Sequence, residues 1–289
     1  NNVNLFSTIK VLFQPIILGL IIISLSYCIR FYRWILILNK FKIFLPIKEN
    51  FLIWMSSFAF TATPGKSGEA LRSIKLKKIF KIPIFKSLLA LIFERLTDGL
   101  SVLVLISINI EFISRFKLFF FLPISFLITI LLIALTSKKF TFEIFKRLLV
   151  KYNNSFFNKN KKYFREIKEF IDPKFIFKIV SIASFSWFLE GFSFWIILNA
   201  MTPKSINILN ATIAHTASGL LGAISFMPGG LGAQEISTIS LLTIQNIPIE
   251  IATTSTLIIR LMTLWFATAL GIISYVVPLK IKEKKTFYD

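Results

Sequence analysis

The sequence has little of what most catalytic sites are built from. One cysteine, Cys28, and one histidine, His215, occur in 289 residues. A lone cysteine excludes a disulfide framework and a cysteine metal site. A lone histidine excludes His-pair metal sites and multi-histidine phosphatase chemistry. No metal site or cofactor is therefore expected, and no catalytic residue is assigned. Acidic residues are also scarce, 14 against 34 Lys and Arg. A Walker-type loop is missing too: Gly65-Lys66-Ser67 lacks the earlier glycine which that motif needs. Transport driven by ATP within this chain is thus not expected.

What the chain has in abundance is apolar surface. Hydrophobic residues make up 55% of it, mean hydropathy is +0.74, and long apolar runs recur. Those features define a polytopic α-helical membrane protein. In a soluble chain the formal net charge of +20 would suggest nucleic acid. Here the basic residues lie between apolar runs, so no nucleic-acid partner is expected. Basic loops on the anionic cytoplasmic face of the cell (plasma) membrane fit better. Part of the charge also reflects a bias towards Lys, Ile, Asn and Phe. The chain opens in a polar stretch without Met, so a preceding segment is expected.

Full spans are expected at 11–29, 87–110, 118–136, 175–200 and 251–277. The stretches 30–50 and 66–86 read as basic loops, 137–174 as a basic cytoplasmic helical linker, and the tail from Lys280 is basic again. The apolar stretch 51–63 spans only ~20 Å as a helix, too short for a ~30 Å bilayer core. It ends at Pro64-Gly65, which breaks a helix. With basic loops on both sides, it should enter and return as a re-entrant hairpin. The turn 246–250 has no basic residue. The stretch 207–245, broken at Pro228-Gly229-Gly230, then becomes a second hairpin from the opposite face.

Two markers recur. Pro64-Gly65-x-x-Gly68 returns as Pro228-Gly229-x-x-Gly232, 164 residues on, and Arg95-Leu96 returns as Arg260-Leu261, 165 residues on. The expected fold is an all-α polytopic membrane protein with an inverted repeat, units about 51–110 and 207–277. Two broken re-entrant hairpins would sit among about five full spans. That is a transporter architecture, and broken helices at membrane depth must be buried in protein or line a cavity.

Lys66, Arg72, Arg95 and Arg260 are the candidate anion-binding groups, because a guanidinium donates two hydrogen bonds at once to an oxyanion. Gln234 and Glu235 stand beside the second break. Lys66 and Arg72 also read as ordinary loop charges, and Arg260 as a partner for Glu235 or Glu190. Glu69, Glu94, Asp98 and Glu190 are candidates for proton coupling or for shaping the cavity. Glu94 and Asp98 share a helix face at i, i+4, so with Arg95 they could equally be an ion cluster that fixes packing. His215 reads first as a packed polar core residue.

Three motifs, Pro64-Gly65-Lys66-Ser67-Gly68-Glu69-Ala70-Leu71-Arg72, Glu94-Arg95-Leu96-Thr97-Asp98 and Pro228-Gly229-Gly230-Leu231-Gly232-Ala233-Gln234-Glu235, resemble the lysylphosphatidylglycerol synthase transmembrane-region family, also called flippase-like. Arg30-Phe31-Tyr32-Arg33-Trp34 is similar to the basic-aromatic end of that family's second helix. The likeness runs through nearly the whole chain, so 1–289 reads as a single flippase-like transmembrane domain. It implies translocation of a phospholipid or of a polyprenyl-phosphate-linked headgroup, rather than an enzyme. No soluble aminoacyl-transferase domain follows the last span, so a stand-alone member without lysyl transfer is expected. A membrane enzyme or accessory subunit acting on polyprenyl-phosphate sugars, or an anchor for a soluble partner enzyme, remain alternatives. A homo-oligomer is a further possibility that the resemblance leaves open.

Overall fold

The computed structural model describes residues 5–63, 68–108, 172–202 and 206–278, and side chains from residue 11 on. Among these residues every regular element is helical. The expected span 118–136, most of the linker 137–174, the basic tail, and Pro64, Gly65 and Lys66 lie outside the described residues.

Helix α1 (Leu5–Lys40) runs about ten residues past the expected end of the first span. Arg30 and Arg33, read as loop charges, are helical, Arg33 fully buried and Arg30 mostly so. The helix continues because acidic side chains on other helices neutralise both guanidinium groups. Helix α2 (Ile47–Ser56) tightens into a 3-10 turn, Ser57–Phe60, and ends in a turn at 61–63. Helix α3 (Leu71–Phe80) stops at Lys81, which takes a left-handed conformation. Helix α4 (Ile84–Ile108) follows.

Asp172 caps helix α5 (Pro173–Met201) by accepting the Lys174 N–H, with Pro173 in the first turn, where a missing N–H costs nothing. Asn207 caps helix α6 (Ile208–Ile224) in the same way. A 3-10 turn at Pro228–Gly230 leads to helix α7 (Ala233–Thr243). Helices α8 (Ile249–Arg260) and α9 (Phe266–Val276) are joined by one π turn, Leu261–Trp265.

Three of these stretches are long and apolar enough to cross a membrane: Val11–Lys40, Pro173–Met201 and Ile249–Val276. Helix α4, at 25 residues, is long enough at ~37 Å, but it carries Glu94, Arg95 and Asp98 near its middle. Val11, Phe13, Ile17, Leu18, Ile21 and Leu25 are exposed along α1. Such an open apolar stripe is suited to lipid rather than water.

Helix α5 is central and packs against α1, α4, α6 and α8. Helix α9 lies against α2 and the Ser57–Phe60 turn. Gly271 permits this approach: a Cβ there would sit 2.2 Å from the Ala59 nitrogen and 2.6 Å from the Phe58 carbonyl carbon. Tyr27, Trp54 and Phe58 fill the space beside this crossing, with ring centroids 4.6 Å apart for Trp54–Phe58 and 5.6 Å for Tyr27–Phe58. The effect is to bring α9, the last described helix, against the first broken segment.

Candidate functional site: a charged cavity between two broken segments

Three ionic groups build the site. The first joins α1, α3 and α4. Arg33 Nη2 lies 2.7 Å from Asp98 Oδ1 and 3.6 Å from Glu94 Oε1. Arg72 donates to Glu94 Oε2 at 2.8 Å and to the Ser57 hydroxyl at 3.1 Å, with its guanidinium 4.5 Å above the Trp34 ring. Arg95 approaches Glu94 and Asp98 at 3.3 Å each, and Glu69 at 3.7 Å. Arg33 and Arg72 are sealed at 0% and 1% side-chain exposure, whereas Arg95 is 33% exposed.

The second group joins α1, α5 and α6. Arg30 Nη2 is 2.9 Å from Glu190 Oε1, which also accepts from the Ser26 hydroxyl at 3.1 Å. His215 Nε2 stands 3.6 Å from Glu190 Oε2. The Arg30 guanidinium stacks 4.4 Å over the Trp187 ring.

The third group ties α8 to the second break. Arg260 donates through Nε to Glu235, through Nη1 to Gln234 Oε1 at 2.7 Å, and through Nη2 to the Gly229 carbonyl at 2.8 Å. Glu235 Oε2 accepts the Gly232 N–H at 2.6 Å and so caps α7. Gly229 and Gly230 have φ of +61° and +68°, a region that other residues rarely occupy. The backbone can therefore fold back and present its carbonyl to Arg260.

The groups surround one cavity of about 110 Å³. Its walls include Arg30, Arg95 and Arg260, with Glu69, Glu94 and Glu190 between them. Phe58 and Thr61 reach it from the first broken segment, and Gly229, Gly230 and Gln234 from the second. Tyr27 and Thr263 close another side, where the Tyr27 hydroxyl donates to the Thr263 carbonyl within the π turn at 2.9 Å.

Of the residues expected at a site, Arg95, Arg260, Gln234, Glu69, Glu94 and Glu190 line this cavity. Arg72 and Asp98 stand behind the wall, and Glu235 stands behind Arg260. Arg72 is not a loop charge: it sits on α3 and is fully buried. Arg260 pairs with Glu235, while Glu190 pairs with Arg30. Gly68 flanks the first break, its N–H bound to the Thr63 hydroxyl at 2.7 Å. Pro228 opens the second break and Gly232 precedes α7.

Arg30, Arg33, Trp187 and His215 did not stand out as site residues in the sequence. Ser26, Arg30 and Arg33 are spaced i, i+4, i+7 at the end of an apolar run, which puts them on one helix face. That spacing was the available signal.

A family model, the lysylphosphatidylglycerol synthase TM region, matches residues 3–271. The chain belongs to this family. A UPF0104 membrane protein from Pyrococcus horikoshii is 25% identical over 297 aligned positions, covering 91% of this chain and 88% of the relative. A UPF0104 membrane protein from Methanothermobacter thermautotrophicus is 27% identical over 95 residues, 33% of this chain and 28% of the relative. The family match is therefore carried by nearly the whole helical body, with both broken segments inside it.

Proposed function

We propose that this protein translocates a phospholipid or a polyprenyl-phosphate-linked headgroup across the cell membrane, through alternating exposure of the charged cavity. The observation that carries this reading is the convergence of two broken segments on one cavity with three arginines in its wall. Helices without interruption give lipid-facing walls, whereas broken ones bring backbone carbonyls and side-chain charges to membrane depth.

Arg95 and Arg260 hold the lipid phosphate. Arg95 is the more open of the two, and Arg260 already binds a break through its fork. Glu69, Glu94 and Glu190 keep the arginines balanced while no ligand is present. Drug-sized ligands need cavities of roughly 300–1,000 Å³. This one is smaller, so it takes the phosphate end and leaves the chains in the bilayer. The paired contacts Arg95–Glu69 and Arg260–Glu235 support a two-unit design, each joining a broken segment to the helix after it. Inverted topology, re-entrant hairpins and cytoplasmic basic loops belong to this reading.

A membrane enzyme would need free carboxylates for acid–base work, and Glu94 and Asp98 fit that role less well. Arg33, Arg72 and Arg95 together neutralise both carboxylates.

Reconstitution tests the proposal. Purified protein in vesicles should speed exchange of a headgroup-labelled phospholipid, or of a short polyprenyl phosphate, between leaflets. Arg95→Ala and Arg260→Ala should each slow it by about tenfold or more, the worth of one charge-assisted hydrogen bond. Unchanged rates in both variants would sink the reading.

A further inference from the structure

The cavity wall is charge-balanced before any ligand enters. Arg30, Arg95 and Arg260 face Glu69, Glu94 and Glu190. Behind the wall, Arg33 pairs with Asp98, Arg72 with Glu94, and Glu235 with Arg260, so five arginines stand against five carboxylates in all. An oxyanion added to such a site leaves one negative charge without a partner, in surroundings where that is strongly unfavourable. A proton arriving with the oxyanion removes the imbalance.

The geometry indicates where that proton goes. Glu190 stands between two basic side chains, Arg30 beside Oε1 and the His215 imidazole beside Oε2. His215 is 2% exposed, lines the cavity, and its Nδ1 has no hydrogen-bond partner among the described residues. At 3.6 Å its Nε2 is near Glu190 but too far for a hydrogen bond. Arg30 is under-used in a similar way. Its Nε and Nη2 make no directed hydrogen bond among the described residues, although Nη2 lies near Glu190. The Trp187 ring supports the guanidinium plane from below at 4.4 Å, so the group stays in place when its carboxylate partner lets go.

We propose that the cavity takes up a phosphate-type oxyanion together with one proton: His215 accepts the proton and pairs with Glu190, and Arg30 passes from Glu190 to the oxyanion. The proton adds to the imidazole nitrogen that lacks one, so both ring nitrogens donate, and it leaves with the ligand. The charged and titratable groups around His215 are Glu190 on α5, Arg30 and Tyr27 on α1 and, beyond Arg30, Asp98 on α4. Helix α7 offers the uncharged Gln234, which is held by Arg260. The inference rests on the translocation reading and adds a driving ion to it.

The test is calorimetric. The whole chain, purified in detergent, is titrated with dihexanoyl phosphatidylglycerol and separately with methyl sulfate, a monoanion of the same charge, at several pH values. Each titration is run in two buffers of different ionisation enthalpy. Neither probe changes its own protonation near neutrality, so proton uptake on binding belongs to the protein. The expected result is uptake approaching one proton per ligand, with affinity falling up to about tenfold per pH unit as pH rises. Uptake with both probes assigns the site to the oxyanion itself, and uptake with the diester alone assigns it to a lipid headgroup. Glu190→Gln should bind more tightly and without uptake, because Arg30 is already free. His215→Gln should bind more weakly, also without uptake. Binding by the unsubstituted protein without proton uptake overturns this inference and leaves translocation standing, as does uptake that persists in His215→Gln. Failure of both probes to bind at any pH, in the unsubstituted protein and in Glu190→Gln, overturns both.

Discussion

Arg260 on α8 donates to the carbonyl oxygen of Gly229 at 2.8 Å, so a side chain of the last long helix holds the backbone of the second break. The same guanidinium binds Gln234 and Glu235, which lie five and six residues beyond Gly229. Removing it leaves a carbonyl, an amide oxygen and a carboxylate without their donor. Arg260→Ala should therefore destabilise the fold by about 3 kcal/mol, the lower end for breaking a buried pair, since Glu235 is partly exposed. Arg260→Lys keeps the charge but not the fork, and should fall between the two. Thermal unfolding in detergent would rank the three proteins, and equal midpoints would contradict the clamp.

Arg72 and Arg95 should separate stability from function. Arg72 is sealed, bound to Glu94 and Ser57 and stacked on Trp34. Arg72→Ala should lower the unfolding midpoint strongly, by the equivalent of about 3–5 kcal/mol. Arg95 is one-third exposed and faces the cavity. Its loss leaves the same cluster one unit too negative but beside an open cavity that admits water, so it should cost less than loss of Arg72, about 1–3 kcal/mol, while lipid translocation in vesicles collapses. The reverse pattern would mean that the two arginines have exchanged roles.

The difference between these two arginines could not be read from the chain. Arg72 stands among lysines and Arg95 between two acids on an apolar span, and local pattern marks a charge without showing what faces it. Arg30 and Arg33 make the same point more sharply. Counting basic residues after an apolar run ended the first span at residue 29, yet α1 continues to Lys40. The carboxylates that let it continue, Asp98 and Glu190, lie 65 and 160 residues further along the chain. What was legible were the strong local signals. Pro228-Gly229-Gly230 breaks the chain where expected, because two consecutive residues take positive φ there. The helical class, the limits of α5 and six of the cavity residues were legible too, since apolar runs and buried charges are local features. The π turn at Leu261–Trp265 left no trace in the sequence, as nothing there but ordinary helix formers occurs.

Gly271 and Gly99 make a matched pair for testing the α9 crossing. A methyl group at Gly271 would meet backbone atoms of Phe58 and Ala59 well inside contact distance, and backbone cannot swing aside. Gly271→Ala should cost about 1–3 kcal/mol. Gly99 on α4 has nothing within 4 Å of such a methyl group among the described residues. Gly99→Ala should be neutral or stabilising by up to about 1 kcal/mol, as expected for a helix interior. Unfolding midpoints that shift alike would show that α9 does not press against the first broken segment.

The Arg33–Asp98 pair asks whether the inner ion cluster exists for stability or for charge balance. The two groups meet at 2.7 Å with Arg33 at 0% exposure. Arg33→Met leaves Glu69, Glu94 and Asp98 facing only Arg72 and Arg95, one unit too negative. Asp98→Leu leaves the cluster one unit too positive. Each single change should destabilise by about 3–5 kcal/mol, because an unmatched charge stays buried. The double change restores neutrality and fills the space with apolar atoms, so it should recover part of that loss. A double-mutant cycle by chemical or thermal unfolding should give a coupling of about 1–3 kcal/mol. Translocation should follow the charge count rather than the stability: both singles impaired, the double closer to the original. If the losses simply add, the cluster is a set of independent contacts, and the balanced wall does not depend on it.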